Sequence, residues 1–406
     1  MITKTSIPLL LLLFCCGFGS VFGNENALTE SAYSELASID HLIDQGKFQR
    51  ALTTLNRLIP KLEAQTYDRA VSLQLLGHIH STMGNRPAAI NAFKQALETG
   101  MLPAWVNHDL RYSIGQLLIA EASYRDGAGY LLRWINEEKD PTAESMALLA
   151  TAYYRLGSYG AAANQMEKAI SADGGGPAAW YELLLACYQK TGRGAEAIRV
   201  SQRAIRRYPD MGAFWDNLLY WYRHAEMAPE SLALQELMYR RGMLNTAEKI
   251  RLVRSYDRQG MPYQAADLLE HELETGNIPR TEAHYRLLVH CLLRAREKER
   301  ARGILAQAVS QMPSGSLQYQ LGTLLADMEQ WRAARDTLEN ALASGDTGAV
   351  GHARLLLGIS HYQTGNVEAS RDIFRLAQAD AAFHDEAQAW LRYIEKQAAM
   401  ERVKAP

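Results

Sequence analysis

Apolar residues recur along this chain in short runs at three- and four-residue spacing. Each run is followed by a turn signal and then by a second run of the same kind. The stretch Leu73–Leu97, LQLLGHIHSTMGNRPAAINAFKQAL, shows the unit most clearly. Leu76 precedes Gly77, a second glycine follows seven places on at Gly84, and Ala89, Phe93 and Ala96 complete the pattern. This spacing predicts two amphipathic helices joined by a tight turn, with small residues where the helices touch and large apolar ones beside them.

With Gly77 as anchor, the equivalent position is found at Ile39, Gly115, Ala150, Leu185, Leu219, Val253, Val289, Gly322 and Gly358, at spacings of 33 to 38 residues. The register predicts about ten helix pairs. Seven places after the anchor stands glycine at Gly46, Gly84, Gly157, Gly192, Gly260 and Gly365, where a first helix would end in a left-handed residue. Alanine recurs twelve places on (Ala51, Ala89, Ala162, Ala197, Ala265, Ala301, Ala334) and nineteen places on (Ala96, Ala169, Ala204, Ala308, Ala341, Ala377). Larger side chains there would push neighbouring helices apart. Tyr153, Tyr188, Tyr222 and Tyr256, three after their anchors, fill the space between helices. Pro60, Pro103, Pro141, Pro177, Pro209, Pro279 and Pro313 fall between pairs, and Pro87, Pro229 and Pro262 fall where second helices begin. No period-two strand pattern stands out. From His384 the pattern predicts one more helix, with Trp390, Leu391 and Ile394 on its apolar side, as a cap for the last pair.

This unit resembles the tetratricopeptide repeat, a 34-residue helix–turn–helix module. The resemblance implies an all-α solenoid wound as a right-handed superhelix, in which the first helix of each pair lines a concave groove. Inward-facing positions then lie three before, one after and four after each anchor. In the central repeats these are Tyr154, Glu182, Gln189, Asp216, Tyr220, Arg223, Arg254, Asp257, Arg286 and His290. Mixed charge with tyrosine is the composition of a peptide groove. The corresponding positions of the Leu73–Leu97 unit, Gln74, His78 and Ser81, are plainer. The chaperone-binding type of repeat carries Asn one place after the anchor, and no repeat here does.

Residues 1–23 have the form of a cleaved signal peptide: Lys4, an apolar core from Ile7 to Phe14, and a site after Val21-Phe22-Gly23. An uncleaved anchor, or a lipoprotein signal cut at Cys15 or Cys16, are the alternatives. The expected organisation is therefore signal 1–23, solenoid 24–383 and cap 384–406, in an exported, periplasmic protein. Removing the signal removes Lys4 and takes the formal net charge from −2 to −3. Cys187 and Cys291 remain, about three repeats apart, and are expected to be small buried hydrophobes rather than a disulfide.

Catalytic patterns are missing from the chain. There is no phosphate-binding glycine loop of the Walker type, no G-x-S-x-G and no H-E-x-x-H; His271-Glu272 begins the last but Thr275 breaks it. His78 and His80 point to different sides of a helix, and His80 and His361 occupy positions held by tyrosine elsewhere, so packing is expected of them rather than metal ligation. No cofactor is expected. The Gly174–Gly176 triplet is expected to be a long turn, the alternative being a hinge between repeats, and no Lys or Arg on a helix N-terminus stands near it to hold a phosphate. Two basic clusters, Arg193–Arg207 and Arg294–Arg302, are expected to be solvated faces interleaved with glutamate, the alternative being contact with an acidic protein or an anionic surface. Nucleic acid is a poor partner for an exported chain of negative charge. Trp134, Trp180, Trp215, Trp221 and Trp331 fall on packing positions.

Trp180–Tyr188, Tyr208–Trp215, Gly260–Ile278, Leu355–Asn366 and Ala389–Glu395 also resemble segments of a narrower family. These are exported tetratricopeptide proteins that accompany the TonB–ExbB–ExbD energy-transduction system of Gram-negative bacteria. That resemblance implies a non-enzymatic scaffold holding a Ton-system or receptor segment, peripherally associated with membrane complexes. The alternatives are a tetratricopeptide protein of outer-membrane assembly or polysaccharide export, or the regulatory part of an envelope enzyme.

Overall fold

The structure is a computed structural model and describes residues 27–312 and 314–404. The signal segment with Cys15 and Cys16, and Pro313, lie outside the described residues. Within them every regular element is helical. The chain divides into two compact units, one up to Trp221 and one from Tyr222 onward.

The first unit pairs α1 (Glu30–Asp44) with α2 (Phe48–Leu58), which runs into a short 3₁₀ turn at Ile59–Lys61. It then pairs α3 (Tyr67–Thr82) with α4 (Arg86–Glu98), and α5 (Ala104–Ala120) with α6 (Tyr124–Glu137). Next come α7 (Ala143–Arg155) with α8 (Tyr159–Ala172), and α9 (Ala178–Thr191) with α10 (Gly194–Arg207). The unit boundary falls inside α11 (Gly212–His224). The second unit continues with α12 (Ala228–Arg240), then pairs α13 (Thr246–Arg258) with α14 (Pro262–Glu274), and α15 (Glu282–Arg294) with α16 (Lys298–Gln311). It pairs α17 (Gly315–Asp327) with α18 (Trp331–Ser344) and α19 (Val350–Gln363) with α20 (Val367–Ala377), and ends with α21 (His384–Lys404).

The turn inside each pair is the same in every repeat. The six expected glycines have φ between 67° and 85°. The four repeats without glycine place Ala122, Glu226, Arg296 and Glu329 at the same offset, with φ of 56° to 64°. The turn thus imposes a left-handed residue whatever its identity, because the last helical carbonyls must find donors. In the Leu73–Leu97 unit, Gly84 N–H donates to Ser81 O at 3.0 Å and Asn85 N–H to His80 O at 2.9 Å.

The helix contacts follow from the small residues. Every alanine predicted twelve or nineteen places after an anchor is fully buried. Where alanine is missing at the first of these offsets, Gly127, Ser231 and Ser370 replace it. Ser370 Oγ, itself buried, donates to the carbonyl of its anchor Gly358 at 2.8 Å. Glycine anchors admit a large neighbour: a Cβ on Gly77 would lie 2.3 Å from the Phe93 ring, and one on Gly358 2.7 Å from Phe374. Cys187 and Cys291 are fully buried free thiols, and burial pushes each up to about 11. At the end of the chain, α21 buries Ala387 and Ile394 and stacks Trp390 on Phe374, with ring centroids 5.6 Å apart.

Candidate protein-binding face

Each unit presents its own share of the predicted groove positions. In the second unit these are Arg223 on α11 and four residues of the first helices α13 and α15, whose opposite sides carry the core residues Val253, Tyr285, Leu288, Val289 and Leu292. Asn245 caps α13 through a reciprocal pair: its side chain accepts from Glu248 N–H at 3.0 Å, and Glu248 accepts from Asn245 N–H at 2.9 Å. That cap fixes the start of α13 and hence the direction of Arg254 and Asp257. Arg254, Arg286 and His290 are exposed, and Asp257 is half-buried.

Asp257 is the organising group of this face. Its Oδ1 accepts from Arg294 Nη1 at 2.6 Å, and its Oδ2 lies 3.5 Å from His290 Nε2. Arg286 stays along its own helix, with Nη1 3.8 Å from Glu282 Oε1. Arg294 was not among the predicted groove residues. It follows His290 by one turn of the same helix, and its place in a basic cluster hid its role.

Beside these groups, α15 and α17 enclose a cleft of about 480 Å³ lined by Arg286, His290, Leu293, Tyr319, Thr323 and Asp327 among others. Leu293, Tyr319 and Thr323 sit at the offsets of the groove rule, four after, three before and one after their anchors. The rule therefore finds them once it is carried past His290. Leu293 is 40% exposed and lines this cleft together with the partly buried Leu287. Tyr319 is held from below by a hydrogen bond between its hydroxyl and His352 Nδ1 at 2.7 Å. An apolar floor bordered by Arg286, Asp327 and fixed hydroxyls suits a protein segment bearing apolar and polar side chains.

A second cleft in the same unit, about 400 Å³, is lined by Arg223, Ser231, Gln235, Ser255 and Arg258 among others. Arg223, predicted as a groove residue, donates to Gln235 Oε1 at 3.4 Å. The buried Gln235 amide also donates to Ser231 O at 3.0 Å and accepts from Ser255 Oγ at 3.4 Å. Arg223 is thus tied into a polar network rather than standing apart on the face.

In the first unit Glu182, Gln189, Asp216 and Tyr220 are exposed, with Tyr220 edge-on to Trp221 at 5.2 Å. Tyr154 differs. It is half-buried and packs edge-on against Tyr159, 5.3 Å away, at the turn of its own helix pair. Gln74 is 8% exposed, so its register position belongs to the core and not to a groove.

The two basic clusters also behave differently. In the second, Arg300 Nη2 is 2.7 Å from Asp267 and also pairs with Glu270, and Arg302 Nε is 3.0 Å from Glu299. These are paired surfaces, as expected. In the first, Arg193 alone has an ion-pair partner among the described residues, Glu196 at 2.9 Å. Moreover, Arg203, Arg206 and Arg207 line a cleft with Gly174 and Gly175. No basic residue stands on a helix N-terminus at the glycine triplet; these arginines come instead from the C-terminal turns of α10, which packs against α9 and so ends beside that loop.

Among the described residues no group of three or more His, Cys, Asp or Glu side chains could hold a metal ion. His361 is buried, with Nε2 3.2 Å from Glu339 Oε1. No described helix is long and apolar enough to cross a membrane.

Tetratricopeptide repeat models match residues 148–212 and 319–393, and a second such model matches residues 70–99. Among curated proteins, the lipopolysaccharide assembly protein B of Escherichia coli (strain K12) is 24% identical over 257 residues, covering 61% of this chain and 62% of that protein. The same protein from Escherichia coli O157:H7 matches equally. The chain thus spans about three fifths of the length of the curated relatives it matches. A tetratricopeptide repeat protein from Parabacteroides merdae is 14% identical with a TM-score of 0.37, covering 65% of this chain and 100% of its own. YrrB, described as a tetratricopeptide protein with an unusual peptide-binding site, is 19% identical with a TM-score of 0.38, covering 48% of this chain and 92% of its own. With its repeat register, its helix order and these matched segments, the chain is an all-α solenoid of tetratricopeptide repeats, about ten helix pairs followed by a terminal helix.

Proposed function

We propose that this protein is a non-enzymatic, protein-binding scaffold of the bacterial envelope that serves outer-membrane assembly, with lipopolysaccharide assembly as the process. The observation that carries the process is the 257-residue likeness to the lipopolysaccharide assembly protein B. The observation that carries the mode of action is the second-unit face, where exposed Leu293 lies between Arg286, His290 and Tyr319. An extended or helical partner segment places an apolar side chain over Leu293 and a carboxylate on Arg286. The signal-like residues 1–23 support a periplasmic location for this face.

The Ton-system reading rests on the segment likenesses named from the sequence, and none of the relatives described above is named for such a system. The two processes separate cleanly in cells. Removing the gene is expected to alter lipopolysaccharide content and detergent sensitivity while TonB-dependent uptake stays at its normal rate. Unchanged lipopolysaccharide together with lost uptake refutes the assembly reading.

A further inference from the structure

The basic cluster at the end of α10 has no part in the protein-binding face of the second unit. We infer that the cleft between the Gly174–Gly176 loop and the last turns of α10 binds a phosphate monoester through Arg203, Arg206 and Arg207. This goes beyond the scaffold reading and does not depend on it.

The cleft encloses about 460 Å³, and no carboxylate lines it. Some arginines of the chain find acidic partners, as Arg294 does at Asp257 and Arg300 at Asp267. Among the described residues no ion pair joins Arg203, Arg206 or Arg207 to an acid. Asp173, whose charge acts on Arg207, lies outside the lining and accepts the Gly176 N–H at 2.6 Å. Three guanidinium charges against one carboxylate leave the site with an excess of about two positive charges, which a phosphate dianion balances.

The arginines are also held in place. Arg203 lies over the ring of buried Tyr181, with Cζ 5.6 Å from its centroid. Arg207 Nε donates to the Tyr208 hydroxyl at 3.3 Å, and that hydroxyl donates to Gly176 O at 2.5 Å. The Arg207 guanidinium rests directly on Gly175, where a Cβ would come within 2.6 Å of Cζ. The glycine is therefore the seat of the arginine. A helix C-terminus favours cations by itself, which accounts for Arg206 and Arg207. It accounts neither for Arg203 a turn earlier nor for the glycine seat.

The loop amides are spent internally, Gly175 N–H donating to Ile170 O at 2.9 Å, so the arginine side chains supply the donors. A phosphate offers three acceptor oxygens to three guanidinium forks where a carboxylate offers two. The space left over accommodates the group to which the phosphate is attached.

The test is calorimetric titration of the full chain with inorganic phosphate at constant ionic strength. In parallel come flotation with phosphatidylcholine vesicles doped with phosphatidic acid and titration with a glutamate-rich peptide. Saturable phosphate binding is expected, weakened about tenfold in each of Arg203→Gln and Arg207→Gln. Arg199→Gln, on the same helix outside the cleft, is expected to leave it unchanged. Flotation of the parent protein but not of these variants assigns the phosphate to a lipid headgroup; phosphate binding without flotation assigns it to a soluble ligand. No saturable binding to either probe overturns the inference, as does binding that the cleft variants leave intact or binding of the acidic peptide alone. Circular dichroism checks that each variant is folded, and Arg206→Gln replaces Arg207→Gln if the latter is not.

Discussion

Arg294 Nη1 donates to both the side chain and the backbone carbonyl of Asp257, at 2.6 and 3.0 Å, across 37 positions of sequence. The bond ties the last turn of one first helix to the last turn of the next. The Asp257 side chain is 15% exposed and that of Arg294 44%, so the pair is half-sheltered and weaker than a buried one. Asp257→Asn is expected to cost about 1 kcal/mol in urea unfolding. A double-mutant cycle with Arg294→Gln is expected to give a coupling of about the same size, and additive single effects would contradict the contact.

Glu272 breaks the alanine rule nineteen places after its anchor. It is 3% exposed, with Lys249 Nζ and the Tyr239 hydroxyl each donating to it at 2.6 Å. Burial alone would raise this carboxyl, but the hydrogen bonds from Lys249 and Tyr239 outweigh it and hold the group below its usual range. The stabilisation is therefore complete above the unfolded value near ~4.3 and is lost as pH falls through the lower folded one. Burial, and then the bond to Glu272, push Tyr239 up to about 12. Its share is complete below the ordinary tyrosine value near ~10 and fades as pH climbs above it. Glu272→Ala is expected to destabilise by about 2–3 kcal/mol at neutral pH, even though alanine is the common residue at this offset. Unfolding midpoints measured across pH should show a shallower acid limb in Glu272→Gln, and a parallel limb would remove Glu272 from the account.

The four non-glycine turns hold strain that glycine would relieve. Ala122, Glu226, Arg296 and Glu329 sit at φ of 56° to 64°. A left-handed residue with a side chain costs roughly 1–2 kcal/mol, part of which glycine returns as entropy. Each single change to glycine is expected to raise stability by about 0.5–1 kcal/mol, measured by thermal unfolding. Destabilisation at all four would contradict the shared turn.

Helical glycines divide by what faces them. At Gly77 a Cβ would meet the Phe93 ring at 2.3 Å, while nothing lies within 4 Å of one on Gly129 or Gly303. Gly77→Ala is expected to cost about 1–3 kcal/mol through overpacking. Gly129→Ala and Gly303→Ala are expected to gain about 0.5–1 kcal/mol from helix propensity. Chemical denaturation of the three variants checks both signs at once.

The repeat period made the helices legible, since anchors, alanines and prolines each forbid the alternatives at their own offsets. The left-handed turns at Ala122 and Arg296 were not legible, because backbone closure and not residue type places them. The groove rule picks out Arg254, Arg286 and His290, which are exposed, and Asp257 and Tyr154, which are half-buried, whereas at Gln74 the same offset is buried. Arg294 escaped because charge patterning along one helix cannot show which acid waits on the next. The arginine cleft at Gly175 escaped for a related reason: its two sides are separated by some thirty residues of sequence.

The account turns on the second-unit face as the place where a partner segment binds. Photocrosslinking in envelope preparations, from a reactive residue at position 293 and from one at exposed Met261 as control, tests this most directly. Position 293 is expected to capture a component of outer-membrane assembly, with capture abolished by Arg286→Glu and His290→Glu, while position 261 captures nothing equivalent. Equal capture from both positions, or capture at 293 that survives both charge reversals, would contradict it.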